Sequence, residues 1–474
     1  MTSTRIKAWI RAAVLLTAAA VISGSVRTAG AQGARDTVRV TLQSAVERAL
    51  EVSSDLGEAR AGKLYAEARS RQARATRYLS EFSSTSALAA VPGVTNPNHV
   101  AQNALYLDPE VRNDFGELRP FAQMEFELIQ PLYTWGQLGG TVRAAASGVD
   151  VEVAAVQAVE LNVALRAADL YYAAVLSEEL YHLTDRAGDV VERALSEVER
   201  LLEDGDPEVD DADRYQVLIT EQEFKRRSRE VSERRMTALT ALRHQMKEEA
   251  VVIPAAETLH PLQFDAASLD TYLETAMHER PEITQAHAGL AARDALLTVA
   301  RADYFPQLVF GLSGTLSYAP HRYRQPNPFV SDGFRRGSAR TGFGFRQNLN
   351  FAQTRARVEQ ANAEREKGLH QVDGAETLVL FEVERAWRDL EIAKSALAAQ
   401  DSSLAVSKEW LRVEYINFDL DLGDTENLIR AVQANLELEV RRLEAVMRYN
   451  MAVLRLLKSS GLLVRYLEDS VLIE

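Results

Sequence analysis

The chain has 474 residues, 46% of them hydrophobic and 26% charged, a composition typical of folded protein with room for more than one domain. It contains no cysteine, which excludes a disulfide scaffold, a thiolate metal site, a cysteine nucleophile and a lipid-modified N-terminal cysteine. Its formal net charge of −14 argues against a nucleic-acid partner, because such partners need a basic surface.

At the N-terminus Arg5, Lys7 and Arg11 precede an apolar run from Ala12 to Ile22, and Ala29-Gly30-Ala31 offers small residues for cleavage before Gln32. This is the three-part layout of a secretory signal over residues 1–31. The apolar run is about half of the ~20 residues a transmembrane helix needs, the alternative being an uncleaved anchor. Cleavage removes four positive charges and no negative ones, taking the net charge from −14 to −18. No later segment is apolar enough to span a bilayer as a helix, so an exported chain that enters a membrane must do so as strands.

The sequence reads as a duplicated unit. Leu42 to Ala49 aligns with Leu269 to Ala276, and without a gap Ala59 then pairs with Ala286, Ala61-Gly62 with Ala288-Gly289, and Ala73 to Ala75 with Ala300 to Ala302. Farther on, Val217 pairs with Val432, Arg226-Arg227 with Arg441-Arg442, Met236 with Met451 and Leu242 with Leu457. The boundary falls between Glu249 and Ser268, around Pro254 and Pro261, giving a first repeat over 32–258 and a second over 259–474. Each half is expected to run helix, strand, loop, strand, very long helix, turn, helix.

No proline occurs between Pro131 and Pro207, and none after Pro328. An interior proline costs a helix about 3 kcal/mol, so these stretches are free to be long helices. From Gln137 to Leu202 apolar residues recur at 3/4 spacing, predicting a helix roughly 100 Å long. Its counterpart runs from about Ala352 to Phe418. Such elements do not fit one globular core and call for an elongated, coiled-coil architecture. Alanines on further faces (Ala144 to Ala146, Ala154-Ala155, Ala164, Ala167-Ala168) suit a helix packed on both flanks, as in a ring.

Before each long helix lie two segments of period two. In Leu308 to Tyr318, Leu308, Phe310, Leu312 and Leu316 alternate with Val309, Gly311, Ser313, Thr315 and Ser317. In Phe121 to Leu128, Met124 and Phe126 alternate with Gln123, Glu125 and Glu127; in Thr341 to Phe351, Phe343, Phe345 and Leu349 alternate with Arg346 and Asn348. A fourth, weaker segment covers Leu79 to Val91. The pattern matches either lipid-facing barrel strands, with Met124, Phe126, Phe310, Leu312, Leu316, Phe343 and Phe345 turned outward, or a soluble amphipathic sheet packed on helices. Four strands cannot close around water and open edges are forbidden in lipid, so the barrel reading requires several chains.

Trp135 and Phe351 mark the passages from strand to helix and read as an interfacial aromatic belt or as junction core. The intra-pair connections, Pro92 to Arg119 and Pro320 to Arg340, would be extracellular. Arg322, Arg324, Arg335, Arg336 and Arg340 in the second would be solvated or meet lipopolysaccharide phosphates. The far helix ends are acidic. The first carries seven carboxylates between Glu203 and Asp213, among them Asp204, Asp206, Asp210, Asp211 and Asp213; the second carries Asp419, Asp421 and Asp424. Ringed around an axis they would form negative belts at a pore mouth that favour cations; otherwise they are capped, solvated turns with Gly205 and Gly423 as turn residues.

No catalytic, cofactor or metal constellation is visible: the eight histidines are scattered, and neither the strand glycines nor Ser313 has the setting of a phosphate loop or nucleophile elbow. In its ordered motifs the chain resembles the TolC-like outer-membrane efflux proteins. The motifs are Thr41-Leu-Gln-Ser-Ala-Val-Glu-Arg-Ala-Leu50, Gln130-Pro-Leu-Tyr-Thr-Trp-Gly136, Tyr304-Phe-Pro-Gln-Leu308 and Leu422-Gly423 with Leu428-Ile429, across about Val38 to Gly461.

The resemblance implies a mainly α fold with a small β part. Three copies would build a twelve-stranded outer-membrane β-barrel, four strands per chain, continued by a long periplasmic α-helical barrel. It implies a passive exit duct of a tripartite efflux or type I secretion system, carrying small molecules or polypeptides, without enzyme activity or cofactor. It would dock on a periplasmic adaptor (membrane fusion) protein and an inner-membrane pump in a Gram-negative cell. Leu422 and Gly423 match the hydrophobic-glycine pair of adaptor-contacting tips, with Gly205 at the other tip. Where relatives hold the tip shut with acids, Asn427 and Arg430 stand here, and acidity has moved to Asp419, Asp421, Asp424 and the first tip. The rival reading is a periplasmic coiled-coil adaptor or scaffold without a barrel.

Overall fold

The computed structural model describes residues 37–78, 81–95, 112–204, 211–322, 329, 331–420 and 425–469. Residues 1–31, expected from the sequence to be a signal segment, lie outside them. A short strand β1 (Thr37–Val40) leads into helices α1 (Leu42–Val52) and α2 (Ser54–Ala75). Strands β2 (Glu81–Val94) and β3 (Asn113–Tyr133) follow, then the long helix α3 (Gln137–Asp204) and its return α4 (Asp211–Gln245). The second half repeats this order as β4 (Val251–Pro254), α5 (Leu269–Glu279), α6 (Pro281–Ala302), β5 (Gln307–Tyr318), β6 (Arg336–Arg346), α7 (Phe351–Asp419) and α8 (Thr425–Ser459), with a closing α9 (Leu463–Asp469).

Corresponding helices have matching lengths: 11 residues in α1 and α5, 22 in α2 and α6, 35 in α4 and α8, and 68 against 69 in α3 and α7. The single opening helix expected of each half is in fact two. Ser53 ends α1 and its side chain accepts from Leu56 N to cap α2, while Arg280 ends α5 and Pro281 opens α6 at its first turn, where a missing N–H costs nothing. Thr41 and Ser44 form a reciprocal capping box at the start of α1.

Strand boundaries also differ from the alternation. β3 is much longer than Phe121 to Leu128, and β6 begins five residues earlier than Thr341 and ends at Arg346. Leu349 therefore lies in an irregular link and Phe351 opens a helix, so neither continues the β6 face. Arg336 and Arg340, placed in a loop by the composition of 320–340, are strand residues.

The densest core is a girdle around the middle of α3 and the second half of α8, joined by α1, α5, α9 and the parallel pair β1–β4. On α3 it is built from alanine: Ala164, Ala167, Ala168 and Ala174 are fully buried, letting neighbouring helices approach closely, with Tyr171 and Tyr172 filling between. Facing them, Val446, Val453, Leu454 and Leu456 of α8 are completely covered. The connector between the halves is tied down by polar side chains: buried Asn450 accepts from Leu262 N at 2.8 Å and donates to His260 O at 2.9 Å, and Glu179 accepts from Leu259 N at 2.7 Å.

Toward its far end α7 becomes a coiled-coil strand. Val383, Leu390, Leu397 and Leu404 are buried at intervals of seven, interleaved with Val372, Val379, Ala386 and Ala393 at the same interval. A strict seven-residue repeat winds a pair of helices left-handedly.

Candidate membrane sheet and helical shaft

The four long strands form one antiparallel sheet in the order β2-β3-β5-β6. Its register decides which side chains share a face. Met124 is opposite Leu316, Phe126 opposite Gly314, Leu128 opposite Leu312 and Gln130 opposite Phe310. Phe310 is opposite Phe343 and Leu308 opposite Phe345, and Phe82 and Leu88 of β2 extend the same face beside Leu128 and Ala122. All seven residues predicted to face lipid thus lie on one side of the sheet. Phe310 and Phe343 pack with ring centroids 5.4 Å apart. Phe343 and Phe345 are 74% and 78% exposed, a burden no water-soluble surface carries without reason.

One contact on this face was not visible in the alternation. The ring of Phe126 lies over Gly314, where any Cβ would come within 2.2 Å of it. A glycine at that strand position weakens the ladder unless an aromatic covers it, and Phe126 does.

The opposite face carries the charges, with the apolar Val91, Phe121, Ile129 and Val309 among them. Between Glu81–Pro92, Leu118–Gln130, Gln307–Tyr318 and Arg336–Arg346, the charged residues are Glu81, Arg119, Glu125, Glu127, Arg336, Arg340 and Arg346, and the register puts every one of them on the side away from Phe310. Twelve residues at about 3.3 Å each, tilted by roughly 40°, rise about 30 Å, enough to cross the ~25 Å height of an outer-membrane apolar band.

Where sheet meets shaft, Trp135 and Gly136 make a sharp turn with φ of 53° and 93°. The left-handed region is costly for tryptophan, and the ring's contacts hold it there: Trp135 stacks on Phe305 at 4.8 Å, meets Tyr133 edge-on at 5.0 Å and donates through Nε1 to Pro306 O at 2.9 Å. Tyr133, Trp135 and Phe305 all remain about half exposed, as does Phe351 at the start of α7. The sequence singled out Trp135 and missed its stacking partner Phe305, because their convergence depends on pairing strands from different halves.

At the other end of the sheet Arg322 is a fastener. It donates to Pro92 O at 2.9 Å and to Asn113 Oδ1 at 2.8 Å and lies over the ring of Phe334 at 3.9 Å, clamping one hairpin to the other. Burial lowers its pKa from the ordinary arginine value, while Asp332 acts in the opposite sense. Arg335 donates to Ala319 O and covers Tyr318. Arg324 lies outside the described residues.

The helix tips are described only in part. Asp204 is the last residue of α3, Asp211 and Asp213 open α4, and Asp419 ends α7, with their side chains outside the described set. Gly205, Asp206, Asp210, Asp421, Leu422, Gly423 and Asp424 lie wholly outside it. Of the buried side chains nearby, Gln400 and Ser407 continue the α7 seam in the heptad positions of Ala386 and Ala393. Their oxygens, like that of Asn435 on α8, have no hydrogen-bond partner among the described residues. Among the described residues no helix is long and apolar enough to cross a membrane, and no group of three His, Asp or Glu side chains is arranged to hold a metal.

Residues 272–419 match the family described as outer membrane efflux protein. Protein CyaE of Bordetella pertussis is 24% identical over 344 residues, 72% of this chain and 71% of its own. The CmeC outer membrane channel of Campylobacter jejuni shares the fold with a TM-score of 0.69 at 16% identity, covering 89% of this chain and 86% of that one. The open-state MtrE outer membrane channel of Neisseria gonorrhoeae gives 0.68 at 18% identity, covering 89% of each. The likeness to these solved channels shows that the chain has their fold, and the match to the outer membrane efflux protein family covers residues 272–419. A coiled-coil scaffold without a membrane part is not favoured.

Proposed function

We propose that three copies of the chain close their sheets into one twelve-stranded barrel, continued inward by a tube of the long helices, and that the whole serves as a passive exit duct. The observation that carries this is the segregation of the sheet: across the paired stretches every charge lies on one face and the exposed Phe82, Phe343 and Phe345 on the other, and among the described residues both edge strands, β2 and β6, have no second partner strand. Each backbone group left unpaired in lipid costs several kcal/mol, so the edges must be closed. Two copies would give eight strands and an interior just filled by side chains; three give room for water.

In this reading the signal segment is removed after Ala31 and the mature protein, without a lipid anchor, sits in the outer membrane of a Gram-negative cell. The two halves, 32–258 and 259–474, are repeats of one unit. The shaft, about 100 Å long, crosses the periplasm. At its end the tips around Gly205, Leu422 and Gly423 meet a periplasmic adaptor joined to an inner-membrane pump. The carboxylates of Asp204, Asp206, Asp210, Asp211, Asp213, Asp419, Asp421 and Asp424 then ring the mouth and draw in cations. The protein binds no cofactor and catalyses no reaction. The pump supplies the energy, and small toxic compounds or a secreted polypeptide supply the cargo.

Reconstitution tests it. The mature chain should purify in detergent as a trimer and open stepwise conductances in a planar bilayer. Recovery as a water-soluble monomer without conductance overturns the reading.

A further inference from the structure

The polar face of the sheet is ordered beyond being polar. By register one row reads Ser83, Glu127, Ser313, Arg340 across β2, β3, β5 and β6; the next reads Thr85, Glu125, Thr315, Ser338; a third reads Ala87, Gln123, Ser317, Arg336. Acid is carried by β3, base by β6, and the two strands β2 and β5 present small side chains along these rows. Glu81 and Arg346 add one charge of each sign at the helix-side ends of the two edge strands, while Arg119 at the outer end is paired with Glu117 at 2.6 Å. Leaving that pair aside, the face bears three carboxylates (Glu81, Glu125, Glu127) and three guanidiniums (Arg336, Arg340, Arg346).

The pattern survives closure of the sheet. Wherever β6 of one copy meets β2 of the next, the arginine strand gains a second small-residue neighbour and, beyond it, a second acidic strand. The circuit then repeats small, acid, small, base three times. Neighbouring ribs of opposite sign lie two strands apart, about 10 Å. That is close to the ~8 Å screening length of physiological salt, so their fields largely cancel away from the wall.

We propose, resting on the barrel reading, that the membrane section of the duct is a charge-balanced, ribbed lumen. It passes polar solutes of either charge, with dipolar solutes held against the wall across adjacent acid and base ribs, and charge discrimination belongs to the helical end. Glu125, Glu127, Arg336 and Arg340 are the residues that set this balance.

The experiment is the reversal potential of single channels in a salt gradient. Glu125→Gln with Glu127→Gln should shift the cation-to-anion permeability ratio toward anions, and Arg336→Gln with Arg340→Gln should shift it toward cations. Because the chain has no cysteine, a Ser313→Cys variant gives an independent reading that involves no loss of charge: thiol reagents of positive and of negative charge should both modify it from the aqueous path at similar rates. Shifts in the same direction, no shift in either variant, or strong preference for one reagent charge overturn the ribbed-lumen inference while leaving the duct intact. Absence of any conductance from the unsubstituted protein overturns the duct itself.

Discussion

Helices α3 and α7 occupy the same place in their respective halves and differ by one residue in length, yet they are packed in opposite ways. Through its middle α3 is enclosed, with alanines and tyrosines buried against α1, α8 and the other helices of the girdle. Along α7 one heptad seam is buried, while Leu378, Phe381, Ile392, Val406 and Val413 are exposed, several by more than half. A helix that is apolar outside its seam needs a further neighbour. In the proposed trimer α3 would be the interior stave of each protomer and α7 the stave that meets another copy. Length and order alone therefore do not assign a helix its role; the distribution of small and large apolar residues does.

That contrast can be broken from several sides. Truncating the buried seam should cost most: Leu390→Ala is expected to destabilise by about 2–5 kcal/mol, read as a lowered denaturant midpoint of the assembled protein. Charging the apolar face of the sheet comes next. Leu312→Arg should cost roughly 2–4 kcal/mol and depress yield of the folded trimer, whereas Ser313→Arg, one residue along and on the other face, should assemble nearly normally; equal behaviour of the two would contradict the face assignment. On the outer side of α7, Phe381→Glu should leave the helices folded by circular dichroism and shift the trimer toward smaller species in detergent sedimentation. If the trimer persists unchanged, that face is not where copies meet.

The smallest effect is expected at the polar layer of the α7–α8 pair. Ser407→Ala removes a hydroxyl buried without a partner among the described residues and should be neutral or stabilising by up to about 1 kcal/mol, seen as slower proteolysis at the tip.

Much of this was legible in the chain alone. The absence of proline from 132–206 and from 329 onward, with apolar residues at 3/4 spacing, located α3 and α7 to within two residues at each end. Alternation found the faces of β3 and β5, because a strand's period of two needs no partner to be read. It misjudged where β6 starts and stops, since Phe351 keeps the phase of Phe343 and Phe345 although a helix has begun. Boundaries respond to capping and pairing, which are not periodic. The split at Arg280 was signalled by Pro281, but nothing local announced that the Arg280 side chain would be buried against Glu282, Glu382 and Ser459 O.

The sequence by itself determined the parts: four amphipathic strands, paired helices too long for a globule, acidic segments at their far ends, and a chain without a thiol. Those follow from local periodicity and composition, which each segment carries independently. Only the tertiary structure decided the alignments between parts. Register across four strands is what sets Glu127 in line with Arg340, lays Phe126 over Gly314 and stacks Trp135 on Phe305. Register is fixed by hydrogen bonds between segments nearly two hundred residues apart, and no single segment encodes them.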